Sequence, residues 1–304
     1  MGGPEGPSHY TSWGAQRPAR RPEGLRVRHV IILPLVLMVL LAGTPAPAQQ
    51  PASLEHGFRL MYGLQFQAAE REFAGWQNQY PQDPLGPMSL AANVLFAELD
   101  RAGILQAQFF VSDSTFTSKK KPAPADPVLR AKFDRALADA EKLARPRLDR
   151  DPRDRDALFA MAMVYGLRAD YAALIEGRNM SSLSHTREAA SFARRLLAVA
   201  PDYADAYLAT GVSDYIVGSL SAPVRWLLRL AGYSGDKGKG IDQLKVAATR
   251  GRLLAPFARI LLAVAYLRDD DRFRARELLV DLARDFPTNP LFAREVKRID
   301  EAGN

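Results

Sequence analysis

Beyond Pro51, hydrophobic residues recur along the chain at steps of three and four positions, and runs of β-branched residues are scarce. This spacing puts the apolar side chains on one face of a helix, whereas a half-buried strand would alternate apolar and polar residues. The pattern therefore predicts an all-α fold.

Three stretches share one design. In each, an Ala is followed four positions later by a small or bulky apolar residue, then by another apolar residue and a proline. The three sets are Ala69, Phe73, Trp76 and Pro81; Ala189, Ala193, Leu196 and Pro201; and Ala275, Leu279, Leu282 and Pro287. Because proline cannot donate the next backbone hydrogen bond, each set predicts a helix that ends just before its proline.

A small residue stands twelve positions before the first Ala in two of these stretches: Gly57 before Ala69, and Ala263 before Ala275. Small residues let paired helices approach closely, so that their bulky neighbours interdigitate. The design resembles the tetratricopeptide repeat, a helix–turn–helix unit of about 34 residues. We therefore predict a tetratricopeptide-like solenoid of about five irregular units with a C-terminal capping helix over Leu291–Gly303.

The remaining units are less regular. A first helix is predicted over Asp156–Leu174, with its second helix starting only at His185. Another first helix is predicted over Ala204–Gly218, with Gly211 at the small position. A further unit starts at Met88 and is interrupted over residues 108–127, a stretch rich in Lys, Pro and Ala that is predicted to be a flexible insertion.

The N-terminal region has a different character. Arg26, Arg28 and His29 precede the uncharged apolar run Val30–Gly43, and Ala46 and Ala48 have the small-x-small spacing of a cleavage site. This pattern predicts a signal peptide over residues 1–48. Residues 49–304 would then form one helical domain that is periplasmic or secreted and has no membrane span.

The alternative is an inner-membrane anchor formed by an uncleaved signal, although the apolar run is short against the about 20 residues of a spanning helix. Residues 1–24 are long and rich in Gly, Pro and Arg for a signal peptide. We interpret them as untranslated, with a true start near Leu25 or Val27.

The net charge and the absence of cysteine exclude several classes of partner and covalent modification. Removing the five arginines and two acids of residues 1–48 from the 41 basic and 34 acidic residues leaves a net charge of +4. Basic and acidic residues are interspersed, unlike the concentrated basic stripe of a nucleic-acid binder, so no nucleic-acid partner is predicted. The chain has no cysteine, which excludes disulfides and a lipid-modified cysteine anchor.

The stretch GYSGDKGKGIDQL, which starts at Gly232, is the strongest candidate for a phosphate loop. A loop of the G-x-x-x-x-G-K-[ST] type follows a buried strand. Here the preceding residues have helical spacing, and Gly240 stands where the hydroxyl residue belongs. Gly240 instead suits the small position of a second helix. Lys237 and Lys239 stay a weak candidate site for an anion at this predicted helix start.

The sequence offers few other residues for catalysis or metal binding. The chain after residue 48 has only His56 and His185, and no H-E-x-x-H motif occurs. The acidic run Asp149–Asp156 lacks the glycine and the closing glutamate of a calcium loop. No nucleophile and base are recognisably paired. We predict that the protein is not an enzyme and has no catalytic residue, cofactor or metal.

Residues 204–292 resemble the tetratricopeptide-repeat-39 family and its fungal mitochondrial outer-membrane relatives. The likeness is carried by Gly232, Tyr233, Gly235, Asp236 and Gly240, which follow a proline-bearing helical pattern. The resemblance implies a helical scaffold without enzymatic activity. Those relatives are intracellular, whereas the export signal and the Ala- and Arg-rich composition here suggest a bacterial envelope protein.

In such repeats the first helices line a concave face, and the register assigns mostly apolar residues to it. These residues are Leu54, Phe58, Met61, Met88, Leu95, Phe159, Met163, Tyr215, Phe257 and Ile260. Such a surface does not stay exposed. We predict an exported scaffold that binds a protein or peptide partner, or alternatively a carrier of an apolar ligand or peptide in a closed groove. Arg225–Tyr233 or the insertion after Gln108 could also fill the groove.

Overall fold

The computed structural model describes residues 52–105, 124–230 and 232–302, which belong to one compact unit. The proposed signal peptide with its cleavage site and residues 108–123 of the predicted insertion lie outside the described residues. The helices are α1 (Leu54–Tyr62), α2 (Phe66–Gln79), α3 (Leu85–Arg101), α4 (Pro127–Arg150), α5 (Arg155–Leu174), α6 (Asn179–Val199), α7 (Ala206–Gly218), α8 (Ala222–Leu230), α9 (Lys237–Arg250), α10 (Ala255–Arg268), α11 (Arg272–Asp285) and α12 (Pro290–Ala302). The described residues contain no strand, which confirms the all-α prediction.

The helix boundaries follow from local chemistry. Side-chain oxygens of Ser53, Asp126, Asp154, Asp236 and Asp271 accept hydrogen bonds from backbone N–H groups in the first turns of α1, α4, α5, α9 and α11. These bonds satisfy donors that a helix start leaves without a partner. At the other end, α2, α6 and α11 each stop two residues before the proline of their repeat pattern, as predicted.

Helices that follow one another in the chain pack together, except that α7 packs on α9 rather than on α8. In addition, α3 packs against both α1 and α5, and α5 packs against α7. The first helices of successive pairs therefore lie side by side.

The small residues of the repeat pattern lie at close helix contacts. A Cβ atom added to Gly57 would fall 2.3 Å from the Phe73 ring, and one added to Gly240 would fall 2.5 Å from the Tyr215 backbone nitrogen. Gly211 faces Gly240 across the same crossing. Ala263 and Ala275 are fully buried. These small residues therefore lie at close helix contacts or in the core.

One predicted boundary is wrong. Helix α6 begins at Asn179 rather than His185, so only residues 175–178 connect it to α5. The serine-rich stretch suggested a loop because serine side chains compete for backbone hydrogen bonds. In the structure, extensive packing of α6 on the 20-residue helix α5 outweighs this weak local preference. The Thr186 hydroxyl donates to the Ser182 carbonyl within the added turns.

The two ends of the described helical array meet. The Tyr62 hydroxyl at the end of α1 donates to the Leu253 carbonyl at 3.3 Å, and Asn289 Nδ2 donates to the Tyr62 carbonyl at 2.9 Å. The Thr288 hydroxyl donates to the Gly63 carbonyl at 2.9 Å. Phe286 packs edge-on against the Tyr62 ring, with centroids 5.8 Å apart. The first and last helical pairs are thus in direct contact.

Among the described helices, α5 alone is long and apolar enough to cross a membrane. Its neighbours α3, α4, α6 and α7 pack around it, and 61% of its apolar window is buried within the protein. This burial in the core accounts for its apolar composition.

Candidate functional site

A cavity of about 300 Å³ lies between the first helices of the array. Residues of α1, α3, α5, α7 and α10 form most of its wall, and the start of α6 completes it. The wall is mostly apolar. The aromatic rings of Phe96 and Phe257 meet edge-on across α3 and α10, with centroids 5.7 Å apart, and help to close it.

Six of the ten residues assigned to the concave face line this cavity: Phe58, Met61, Leu95, Met163, Tyr215 and Phe257. Leu54, Met88 and Phe159 are instead packed in the hydrophobic core, and each is at most 1% exposed. Ile260 is buried and borders a separate cavity of about 20 Å³ beside Tyr62 and Asn289. The residues assigned to the concave face therefore lie partly in the hydrophobic core and partly around the cavity.

Asp170 on α5 is the polar residue of most chemical interest in the cavity wall. Its carboxyl group makes no hydrogen bond or ion pair with any described residue. Burial raises the pKa of Asp170 from 3.8 to about 7, and no neighbouring charge contributes to the shift. The side chain retains some accessible surface, and because it lines the cavity, we attribute that surface to the cavity space. At neutral pH this carboxyl can donate or accept a hydrogen bond.

Asp170 is not among the residues predicted from the sequence, although a signal was present. Met163 is among the residues assigned to the concave face, and Asp170 follows Met163 by seven positions, so both lie on one side of α5. An acidic residue on an otherwise apolar helix face marks a place where a polar group enters a nonpolar site.

The segment Arg225–Tyr233 does not fill the cavity, because none of its described residues lines it. The apolar side chains of α8 point into solvent instead, with Trp226 60% and Leu230 70% exposed. The insertion after Gln108, the other candidate filler, lies largely outside the described residues.

The lysine–glycine loop has the geometry of a turn. Gly232 has a φ of +80°, which favours glycine. Asp236 Oδ1 accepts from the Lys239 backbone N–H at 2.8 Å, so the chain's own carboxylate occupies the helix start. The Lys237 ammonium pairs with Asp269, and the Lys239 ammonium lies 3.5 Å from Asp214 Oδ2. Both lysines thus have acidic partners.

The acidic run before α5 is a structural turn. Arg147 binds both carboxylate oxygens of Asp154, at 2.8 and 3.0 Å, while Asp154 also caps α5. Within the described part of the chain, no group of three or more His, Asp or Glu side chains is arranged to hold a metal ion.

No protein-family model, curated protein or solved structure matches the chain. The resemblance to the tetratricopeptide-repeat-39 family therefore rests on the motif residues alone and stays a prediction.

Proposed function

We propose that the protein binds a small, mainly apolar molecule in the cavity between its first helices. The observation that carries the proposal is the mostly apolar wall around a space of about 300 Å³. Small-molecule sites range from about 300 to 1,000 Å³, and an engineered apolar cavity of about 150 Å³ already takes up benzene. A space of this size and polarity suits a ligand larger than benzene.

The ligand carries one polar group in this proposal. An unpaired carboxyl in an apolar wall costs free energy until it gains a hydrogen-bond partner. A ligand hydroxyl or amine placed against Asp170 supplies that partner, while the rest of the molecule contacts side chains such as Val212 and Leu261. A few placed polar groups in an apolar pocket are the usual basis of ligand orientation.

A scaffold that binds a protein or peptide partner is the second candidate. The side-by-side packing of successive helical pairs favours it, because such arrays offer concave binding surfaces. A peptide needs an open groove, however, and Phe58, Met61 and Leu95 are each at most 2% exposed. This part of the cavity wall is therefore out of reach of a peptide, which makes a small ligand the better candidate.

We further infer that the helical pairs are of the tetratricopeptide type and that the protein works outside the cytoplasm without catalysing a reaction. The close approach of Gly57 to Phe73 and of Gly211 to Gly240 supports the repeat type. The apolar run Val30–Gly43 and the small residues after it support export. Cell fractionation with N-terminal sequencing tests export and cleavage after Ala48.

Gly166 gives a sharp test of ligand binding. It lines the cavity, and a Cβ added there would meet nothing within 4 Å. Gly166→Phe should therefore fill the cavity without straining the helix. We expect the uptake of an apolar fluorophore, N-phenyl-1-naphthylamine, to weaken about tenfold or more. Its fluorescence titration measures the change.

The matched control is Gly238→Phe, which adds the same ring to an exposed helical glycine away from the cavity. It should leave fluorophore binding unchanged. Native mass spectrometry of the purified wild type, followed by solvent extraction, identifies any molecule that copurifies. Equal fluorophore binding by wild type and Gly166→Phe, with both folded, would reject the cavity as the binding site.

A further inference from the structure

Helix α8 carries an unusually exposed apolar surface. Val224, Trp226, Leu227 and Leu230 are between 43% and 70% exposed, and α8 contains no buried residue. Other short helices of the chain, such as α1, bury their apolar side chains in the core. The helix is nevertheless strongly amphipathic, because Arg225 and Arg229 share the opposite side from Leu227.

The helix lies beside the cavity. Arg225 Nη1 donates to the Gly218 carbonyl at 2.9 Å, which ties α8 to the end of α7. One turn earlier on α7, Tyr215 and Ile216 line the cavity, and Ile216 is also 41% exposed. Ile216 therefore marks an opening of the cavity on the side where α8 is attached.

The chain segment that contains α8 is basic. Residues 215–235 contain no acidic residue and two arginines. Arg229 is exposed and has no ion-pair partner among the described residues. Arg187 of α6 adds a third positive charge close by, because its guanidinium lies 5.0 Å from the centre of the Tyr233 ring.

We propose that α8 docks on the surface of a lipid bilayer that contains anionic lipids, with Trp226, Leu227 and Leu230 inserted at the headgroup boundary. Amphipathic helices with Trp and Leu on one side and basic residues on the other bind in this way. Arg229 and Arg187 contact the anionic headgroups, and Trp226 occupies the interfacial layer that tryptophan prefers. Docking also places the cavity opening near the bilayer, from which an apolar ligand can enter. This last step alone rests on the proposed function.

A bilayer fits this patch better than a second copy of the chain. The four exposed side chains present on the order of 400 Å², whereas a stable protein interface buries about 800 Å² on each partner. The patch also protrudes on a helix that packs on no other element extensively.

The experiment uses a site-specific probe, because the run Val30–Gly43 could hold the chain on vesicles without α8. The chain has no cysteine, so Leu230→Cys can be labelled uniquely with a nitrobenzoxadiazole fluorophore. With vesicles of phosphatidylcholine and about 30% phosphatidylglycerol, we expect its emission to shift to the blue and rise about twofold, as for a helix buried at the headgroup boundary. Phosphatidylcholine alone should give a much weaker response.

Phe273→Cys, labelled in the same way, is the positional control. Phe273 is 72% exposed on α11 and should stay in water. For charge, Arg229→Glu should raise the lipid concentration at half response about tenfold or more. Arg71→Glu, an equal charge change at an exposed position of α2, should alter it little.

An unchanged emission at position 230 on anionic vesicles overturns the proposal, as does an equal response at position 273. A response that depends on protein concentration without vesicles would assign the patch to a second copy and also overturn it. Fluorophore binding in the cavity is measured without lipid. If the protein does not dock on vesicles but Gly166→Phe still weakens fluorophore binding, this inference is rejected. The proposed function then still stands.

Discussion

At the scale of single residues, Asp170 is the clearest departure from a purely structural chain. Two fully buried acids have partners: Glu98 binds Arg101, and Asp205 accepts backbone N–H groups of Arg252, Leu253 and Leu254. Asp170 has none among the described residues. A buried group without a partner is a frequent mark of a functional site.

The raised pKa of Asp170 predicts a specific dependence of stability on pH. Between about pH 4 and 7 the folded state keeps a proton that the unfolded state releases. The contribution of Asp170 to stability should thus be greatest below pH 4 and fall as the pH rises to 7. The full shift corresponds to about 4 kcal/mol, and partial solvation of the carboxyl should reduce this to about 1–3 kcal/mol.

Asp170→Asn removes the titratable carboxyl group while keeping the shape of the side chain. Wild type and variant should have similar unfolding free energies at pH 4, and the wild type should be the less stable at pH 8, by denaturant titration. Tyr215 and Arg268 line the same cavity and are common to both proteins, so the difference isolates Asp170. A difference that does not change with pH would mean that Asp170 ionises normally.

At the scale of elements, the sequence was most informative where packing is local. Gly57, Gly211 and Gly240 could be placed because close helix contact imposes small residues at fixed spacing. The prolines fixed three helix ends for an equally local reason. The start of α6 was not predictable, since its serine-rich turns depend on α5 for stability. Only the partner helix, not the local sequence, decides whether such a segment is helical.

The crossing of α7 and α9 predicts opposite effects of one substitution at two nearby glycines. Gly240→Ala places a methyl group 2.5 Å from the Tyr215 backbone nitrogen, so the helices must separate. We expect the free energy of unfolding to fall by about 1–3 kcal/mol. Gly238→Ala meets only the Asp236 carboxylate, at 3.3 Å, in the exposed first turn.

The second variant should be neutral or stabilised by up to about 1 kcal/mol, because alanine loses less entropy than glycine in a helix. Urea denaturation of both variants measures the contrast. Equal effects at positions 238 and 240 would show that the crossing is looser than the backbone positions indicate.

At the scale of the whole molecule, the contacts that join the two ends of the array could not be foreseen. The repeat pattern predicted which residues share the first-helix face, and six of those ten residues do meet around one space. The contacts that close the array join residues 191 to 227 positions apart, such as Tyr62 with Leu253 and Asn289. No local periodicity records such pairs. An apolar face that resembles an open groove in sequence therefore lies partly in the core and partly around a cavity.

Closure predicts that the first and last helices lose stability together. In an open array each end interacts only with its neighbour and frays independently. Here the Asn289 side chain has two roles: Nδ2 donates to the Tyr62 carbonyl, and Oδ1 accepts from Leu291 N–H to cap α12. Asn289→Asp keeps the cap acceptor and replaces the donor with a carboxylate oxygen against the Tyr62 carbonyl.

At pH 8 this substitution should lower the free energy of unfolding by about 1–3 kcal/mol, since Asn289 is buried and the Tyr62 carbonyl loses its donor. Hydrogen exchange should accelerate in α1 as well as in α12, although the two helices are far apart in the sequence. Asn78→Asp, at an exposed position of α2, is the control and should change neither. Faster exchange confined to α12 would mean that the ends are energetically independent, and the cavity would then be open on that side for much of the time.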